Sequence, residues 1–172
     1  HLDGARLFNA LVAKKESPQQ YGHLFDTISI CLSKGLGAPV GSVLLGSKAH
    51  IAKALRIRKL FGGGMRQAGF LAAAAIYALD NHVERLAEDH QKAKEIGVVL
   101  ESLSYVTKVE TIETNIIIFY VNEKIGAVHF INKMKDKNIL LTPMGEGRIR
   151  IVTHLDYTDK MHEILLQELK SF

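Results

Sequence analysis

The segment HLDGAR opens the chain at residues 1–6, and the segment SICLSKGLG follows at residues 29–37. In the first segment, Asp3 ends a short stretch that is typical of the last residues of a buried strand. In the second, an alternating strand at residues 26–31 leads into a glycine-rich turn that carries Lys34. If the strands belong to an open α/β sheet, Asp3 at a strand end would point into the crevice where ligands bind.

Asp3 and Lys34 suit the chemistry of pyridoxal phosphate. A lysine amine can form a Schiff base with this cofactor, and a carboxylate can keep the pyridine nitrogen protonated, so that the ring accepts electrons. Gly35 and Gly37 would let a flat ring and a phosphate approach the backbone closely. The residues alone leave two alternatives open, a surface lysine in a turn and an aspartate that only caps a turn before glycine.

Two basic residues, Lys59 and Arg66, flank the glycine run at residues 62–64. The backbone amides of such a loop attract anions where they begin a helix. The loop is therefore a candidate binding element, and a basic hinge without a ligand is the alternative.

Arg148 and Arg150 alternate with Ile149 and Ile151 in a predicted strand at residues 148–152. Alternate residues of a strand share a face, so the isoleucines point to the core and the arginines to a cleft or to water. Arginine is the natural bidentate partner of a carboxylate. Arg150 is thus a candidate for binding a substrate carboxylate, and a solvated arginine on an edge strand is the alternative.

Composition limits the class of protein. The 172 residues are 47% hydrophobic with a net charge of +4, which fits one medium domain or two parts of a divided one and does not indicate nucleic-acid binding. The single cysteine, Cys31, excludes an internal disulfide and fits a reducing compartment such as the cytoplasm. No set of His, Cys, Asp and Glu has the spacing of a metal site. The longest apolar run, Phe70–Leu79, is too short to cross a membrane and is expected to form a buried helix.

The predicted elements change character near the middle of the chain. Ser47 is predicted to cap a helix that ends at Lys59, and one long helix is predicted from Gln67 to Leu103. Because this long helix changes from small and apolar to charged, we place a domain boundary on it, between residues 1–83 and residues 84–172. The second domain has the predicted order β-β-α-β-β-α, which is typical of a small α+β domain. Its strands are predicted at residues 105–111, 115–121, 139–141 and 148–152, and its helices at residues 127–137 and 158–169.

The first residue is a histidine rather than a methionine, and the strand that ends at Asp3 has little chain before it. A typical strand has about five residues, so we expect the chain to be the C-terminal part of a larger protein. An ordinary loop behind a processed N-terminus is the alternative.

Five segments, in this order, resemble the low-specificity threonine aldolases: HLDGARLFNA at residues 1–10, CLSKGL at 31–36, APVGS at 38–42, GGGMRQAG at 62–69 and IRIVTH at 149–154. The resemblance implies a pyridoxal-phosphate enzyme with the α/β aspartate-aminotransferase fold, known as fold type I. Residues 1–83 would be the C-terminal part of the large cofactor-binding domain, and residues 84–172 a small C-terminal α+β domain. That family binds the cofactor phosphate and stacks on its ring with residues upstream of residue 1, so we expect the isolated chain to need an upstream half.

The resemblance also implies roles for individual residues. Lys34 matches the lysine that forms the Schiff base, and Asp3 matches the acid on the pyridine nitrogen. Arg6 matches an arginine near the 3′ oxygen of the cofactor. Arg150 matches the arginine that binds the substrate carboxylate.

Two further matches concern assembly. Lys59 and Arg66 match basic residues that approach the substrate from a neighbouring subunit in this family. The resemblance therefore implies a homo-oligomer, a dimer or a tetramer, with shared active sites.

The activity that the resemblance implies is retro-aldol cleavage of a β-hydroxy-α-amino acid, threonine or allo-threonine, to glycine and acetaldehyde. Its partner is a small-molecule amino acid, with no nucleic acid or membrane. Two alternatives stay open. One is a β-eliminating lyase of the same fold that acts on aromatic amino acids, and the other is a fragment that is inactive without its upstream half.

Overall fold

The computed structural model describes residues 1–172, and the chain divides into two units, His1–Leu86 and Ala87–Phe172. The elements of the first unit are β1 (Leu2–Asp3), α1 (Leu7–Lys14), α2 (Pro18–Gly22), β2 (Thr27–Cys31), β3 (Ser42–Gly46), α3 (Lys48–Leu60) and α4 (Gly69–Asn81). Those of the second are α5 (Leu86–Glu101), β4 (Val106–Val109), β5 (Ile116–Val121), α6 (Ala127–Asp136), β6 (Thr142–Pro143), β7 (Arg148–Val152) and α7 (Asp159–Lys170). The first residue of α5, Leu86, is the last residue of the first unit. No helix has the length and apolar character that a membrane span requires.

The first unit is built on a three-stranded sheet in the order β1-β2-β3. β1 and β2 are parallel, with α1 and α2 in the crossover between them, whereas β2 and β3 are antiparallel. Leu7 and Leu11 of α1 are buried in one cluster with Ile28 and Ile30 of β2. Full burial of such a side chain stabilises a fold by about 1.5–3 kcal/mol, so these contacts fix α1 on one face of the sheet.

The second unit is an antiparallel sheet in the order β4-β5-β7-β6, with its core under α5, α6 and α7. Every second residue of the two central strands is buried in this core: Ile117, Phe119, Ile149 and Ile151. The rings of Phe119 and Phe130 meet edge to face at 5.8 Å between centroids. The intervening residues, Arg148 and Arg150 among them, lie on the opposite face of the sheet.

Most of the predicted elements are present. β2, β5 and β7 occupy predicted strands, and the order β-β-α-β-β-α is confirmed. The helix predicted from Ser47 is α3, and Ser47 Oγ accepts a hydrogen bond from the His50 backbone N–H at 3.2 Å. A serine at this position satisfies one of the open amides of the first helical turn, so this start is encoded locally.

The single long helix predicted from Gln67 to Leu103 is wrong. The structure has two helices, α4 and α5, separated by residues 82–85. His82 Nδ1 lies 2.6 Å from the backbone oxygen of Leu36, and Leu86 is fully buried in the cluster that contains Leu36. The chain leaves the helical path to make these contacts. Because the contacts are tertiary, helical periodicity does not reveal the break.

The strand predicted at residues 139–141 is also wrong, since β6 is Thr142–Pro143. Asn138 adopts the left-handed conformation with φ 62°, and the Ile139 N–H donates to the Met134 carbonyl at 2.9 Å. These residues therefore close the C-terminus of α6. The chain pairs with β7 only after they have satisfied the last helical carbonyls.

The helix predicted at Phe70–Leu79 is present as α4, but the prediction that it is buried is wrong. Its buried residues are Ala75 and Ala78, whereas Phe70 is 91% exposed and Tyr77 is more than half exposed. The small residues of α4 face the core of the first unit. Its large apolar residues form an exposed apolar surface.

Candidate functional site

The two faces of the first sheet differ in chemistry. Paired residues of neighbouring strands share a face, and the strand register therefore divides the side chains into two sets. One face carries only apolar residues: Leu2, Ile28, Ile30, Val43 and Leu45. The other face is mostly polar: Asp3, Thr27, Ser29, Cys31 and Ser42, with Leu44 as its large apolar residue. Because α1 packs on the apolar face, the polar face is the side on which a polar ligand can bind.

Asp3 is exposed at the carboxyl end of β1, on the polar face. Its Oδ1 accepts a hydrogen bond from the Ala5 backbone N–H at 3.2 Å, which holds the side chain over the turn. The Gly4 N–H donates to the Ser29 carbonyl at 2.8 Å, and a Cβ at position 4 would lie 2.8 Å from the same oxygen. The glycine after Asp3 therefore allows the end of β1 to lie against β2.

Lys34 lies in the turn that follows β2, three residues beyond Cys31. The Gly37 N–H donates to the Lys34 carbonyl at 2.9 Å, with Gly37 at φ 73°. Leu32 and Leu36 are buried and anchor the turn. Lys34 itself is exposed, and its amine makes no hydrogen bond or ion pair within the chain. The amine is therefore free to bond with a ligand.

The structure brings Asp3 and Lys34 to the same edge of the sheet. β1 and β2 are parallel, so both residues lie at or just past the carboxyl ends of neighbouring strands. The carboxylate stands on the polar face, and the lysine stands in the turn that borders it. This donor set fits pyridoxal phosphate, which takes a lysine for its covalent bond and an acid for its ring nitrogen.

Arg6 and Asn9 lie beside the turn that carries Lys34. Arg6 is half-buried just before α1, and Asn9 is 3% exposed within α1. Both border one small cavity together with Cys31 and Gly35, and a Cβ at position 35 would lie 3.0 Å from Asn9 Oδ1. The structure thus places the predicted Arg6 at this edge and adds Asn9, which sequence reasoning missed. The only sign of Asn9 in the sequence was a polar residue within the mostly apolar sequence of α1.

The glycine run after α3 folds back over the end of that helix. Gly64 has φ 136°, and a Cβ at position 63 would lie 2.6 Å from Arg58 Cγ. Lys59 and Arg66 are exposed on either side, and neither makes a hydrogen bond or ion pair within the chain. The structure therefore does not connect these two basic residues to the edge formed by β1 and β2.

Arg148 and Arg150 differ in their availability. Arg148 Nη2 lies 3.2 Å from Glu146 Oε2. Its charge also helps to lower the pKa of Glu110, although the hydrogen bond from Lys108 is the main cause. Arg150 is half-buried and makes no hydrogen bond or ion pair within the chain. Of the two arginines, Arg150 is the one that is free to bind a carboxylate.

Comparison with known sequences gives consistent matches. The model of a family described as "Beta-eliminating lyase" matches residues 1–124. The low specificity L-threonine aldolase of Escherichia coli strain K12 is 45% identical over 156 residues, which cover 91% of this chain and 45% of the relative. The low-specificity L-threonine aldolase 1 of Arabidopsis thaliana is 42% identical over 161 residues, with 92% and 45% covered. The chain spans less than half the length of these relatives.

A solved structure also matches this chain over nearly all of its length. The threonine aldolase of Leishmania major superposes with a TM-score of 0.74 at 18% identity, over 99% of this chain and 50% of that one. At this identity the likeness shows the fold alone, and it confirms the predicted fold-type I α/β class. The resemblance to low-specificity threonine aldolases that five segments indicated is confirmed by the two sequence relatives.

Proposed function

Because the chain belongs to the β-eliminating lyase family, we propose that it is part of a pyridoxal-phosphate enzyme that cleaves a β-hydroxy-α-amino acid to glycine and an aldehyde. Its similarity to low-specificity L-threonine aldolases supports threonine or allo-threonine as the substrate and acetaldehyde as the second product. The observation that carries the proposal is the meeting of Asp3 and Lys34 at one edge of a polar sheet face, where the lysine amine is unpaired.

Three residues of the first unit are assigned to the cofactor. Lys34 would bond to it covalently, Asp3 would face its ring nitrogen, and Arg6 would lie near its ring oxygen. When bound, pyridoxal phosphate accepts the electron pair of the bond that breaks. The Asp3 carboxylate would hold a proton on the ring nitrogen, because a neighbouring negative charge favours the protonated form.

Arg150 is assigned to the substrate carboxylate. A guanidinium binds a carboxylate through two parallel hydrogen bonds, which fix its direction as well as its position. A substrate held in this way presents its Cα–Cβ bond in one orientation, and such orientation lowers the entropic part of the barrier. Arg148, which pairs with Glu146, is not assigned a role in binding.

The full-length enzyme is proposed to be a homo-oligomer, a dimer or a tetramer, in which Lys59 and Arg66 reach the site of a neighbouring subunit. The support is the apolar surface beside these residues, where Phe61 is 89% exposed and Phe70 is 91% exposed. Exposed apolar patches of this kind mark interaction surfaces.

Residues 1–83 are proposed as the C-terminal part of a large cofactor-binding domain, and residues 84–172 as a small C-terminal domain. The parallel pair β1–β2 with Asp3 and Lys34 at its edge supports the first assignment, and the separate antiparallel sheet supports the second.

The cytoplasm is the proposed location, since the free thiol of Cys31 suits a reducing compartment.

Replacement of Lys34 by alanine in the full-length protein tests the proposal. The visible absorbance of the lysine-bound cofactor and the release of glycine from threonine should both disappear. Lys48→Ala, which changes an exposed lysine at the start of α3, should preserve both. A Lys34→Ala protein that retains the absorbance band would contradict the role of Lys34.

A second candidate function is β-elimination on an aromatic amino acid, which the description of the matching family favours. The same residues would hold the cofactor, so only the products separate the two reactions. Pyruvate from tyrosine or tryptophan, without glycine from threonine, would favour the elimination.

Parallel assays of the 172-residue chain and the full-length protein would show whether the chain is active by itself.

A further inference from the structure

Thr153 follows β7 directly and is fully buried, with each of its polar atoms hydrogen-bonded. Its N–H donates to the Asn115 carbonyl at 3.1 Å, and its own carbonyl accepts from Asn115 Nδ2 at 2.8 Å. Its Oγ1 donates to the Asp89 carbonyl at 2.7 Å. These three hydrogen bonds, here called the Thr153 clamp, join the end of β7 to the residue before β5 and to the first turn of α5.

Asn115 contributes to the clamp at a cost. Its side chain is 1% exposed, and its Oδ1 is buried without a hydrogen-bond partner. A buried polar atom without a partner destabilises a fold, but the Nδ2 of the same side chain satisfies the buried Thr153 carbonyl. The hydrogen bond that Asn115 donates therefore holds the end of β7 in a defined position beside the residue before β5.

The clamp acts on the part of β7 that has the least other support. β6 contains only two residues, and Thr142 pairs with Arg150 while Pro143 pairs with Ile149. Beyond Arg150, β7 is therefore paired on one side only, where Val152 faces Ile116 of β5. Without the Thr153 clamp, the strand end after Arg150 would be held only by its pairing with β5.

We propose that Thr153 and Asn115 are positioning residues for the reaction, because the Thr153 clamp fixes the end of β7 and thereby the direction of the Arg150 guanidinium toward the substrate carboxylate. The inference rests on the role given to Arg150 in the proposed function. A bidentate contact tolerates little displacement, and a misplacement of about 1 Å can reduce an enzymatic rate by about 100-fold. Arg150, with no partner of its own in the chain, depends on its backbone for direction.

Thr153→Val in the full-length enzyme removes the hydroxyl with little change of shape. Loss of one hydrogen bond corresponds to about 0.5–1.5 kcal/mol, so KM for the amino acid is expected to rise by about 2- to 12-fold. kcat and the visible absorbance of the bound cofactor should stay close to those of the unchanged enzyme. Thr153→Ser, which keeps the hydroxyl, should restore KM.

A matched variant separates positioning from stability. Tyr105→Phe removes another partly buried hydroxyl of the same unit, which donates to the Leu169 carbonyl at 2.6 Å. It should lower thermal stability about as much as Thr153→Val does and leave KM unchanged. Should Thr153→Val fail to fold, Asn115→Leu removes the Nδ2 donor instead and should raise KM in the same way.

The Arg150→Gln variant in the same assay shows which proposal fails, the role of Arg150 in binding the carboxylate or its positioning by the Thr153 clamp. If Arg150→Gln leaves KM unchanged, the proposed role of Arg150 is wrong. If Arg150→Gln raises KM while folded Thr153→Val and Asn115→Leu enzymes keep the KM of the unchanged enzyme, the Thr153 clamp does not position Arg150. The same conclusion follows if Tyr105→Phe raises KM as much as Thr153→Val does.

Discussion

His162 Nε2 lies 2.8 Å from Glu95 Oε2, and this contact joins α7 to α5. Hydrogen bonds from Gln91 and then from His162 lower the pKa of the Glu95 carboxyl below its ordinary value of 4.5. A carboxyl whose pKa is lowered by folding stabilises the folded state above its unfolded pKa, and this contribution is lost as the pH falls through the folded pKa. The ionised Glu95 should therefore stabilise the protein at neutral pH and not in strong acid.

Glu95→Gln is expected to lower the free energy of unfolding at neutral pH by about 0.5–1 kcal/mol, a small value because water screens a half-exposed pair. Urea unfolding of the full-length protein at several pH values measures this difference, which should vanish once the pH is below the folded pKa of Glu95. Glu163→Gln, an exposed glutamate of α7, should show no such dependence. A difference that persists in acid would contradict the explanation.

Gly35→Ala should weaken cofactor binding. A Cβ at position 35 would lie 3.0 Å from both Asn9 Oδ1 and Leu86 Cδ2, so these two side chains or the turn that carries Lys34 must give way by a few tenths of an ångström. Such overpacking costs about 1–3 kcal/mol. A titration with pyridoxal phosphate, followed by visible absorbance, measures the effect. Gly22→Ala is the control, because no atom lies within 4 Å of its added Cβ. If the two variants bind the cofactor with equal affinity, the close packing at Gly35 is not required for cofactor binding.

Asp3→Asn should reduce both cofactor affinity and turnover in the full-length enzyme. An ionic hydrogen bond contributes about 1.5–3 kcal/mol, which corresponds to about 10- to 100-fold. Asp26→Asn changes an exposed acid just before β2, at the opposite end of that strand from Lys34, and should have little effect. If the two variants retain the same activity, the pairing of Asp3 with the ring nitrogen is wrong.

Arg148→Gln and Arg150→Gln should affect different properties. Arg148 pairs with Glu146 in the loop between β6 and β7, so its loss should lower stability slightly, by about 0–1 kcal/mol, and leave KM for the amino acid unchanged. Arg150→Gln should raise KM by about 10- to 100-fold, the value of an ionic hydrogen bond. Steady-state kinetics with threonine distinguishes them. A larger rise of KM in Arg148→Gln would reverse the assignment of the two arginines.

Phe70→Glu should shift the full-length protein toward smaller assemblies. Phe70 is 91% exposed on the apolar surface of α4, and a charge there cannot be buried in an interface without a large desolvation cost. Sedimentation velocity measures the distribution of species. Val128→Glu provides a control, because Val128 is 74% exposed on α6 in the other unit. An unchanged distribution for Phe70→Glu would place the subunit contacts elsewhere.

The sequence predicts the Asp3 and Lys34 edge well because its signals are local. Alternation fixes the faces of β2, and glycines mark the turn that carries Lys34. The same holds for Arg150, whose face follows from the isoleucines on either side of it. The roles of these residues came from the resemblance to a family. The sequence pattern by itself was equally consistent with Lys34 as a surface lysine without a role.

Other features depend on contacts between distant residues and leave no local signal. The break between α4 and α5 exists because His82 and Leu86 reach the region of Leu36. The burial of Asn9 against Gly35, and the hydrogen bonds that Thr153 makes with Asn115, are likewise tertiary. Periodicity and propensity describe one segment at a time, so they could not predict these contacts.

The alternation of the two faces along β2 restricts how this segment can change in length. One residue inserted or deleted within residues 27–31 would exchange the faces beyond that point, so that an isoleucine would stand where Ser29 now stands. An insertion or deletion of two residues leaves every later side chain on its present face, whereas one of an odd number of residues moves it to the other face. The loop between α1 and α2, residues 15–17 of the crossover, has no alternating faces to preserve. Among relatives, insertions of arbitrary length are therefore expected in the crossover, and none of odd length in the strand.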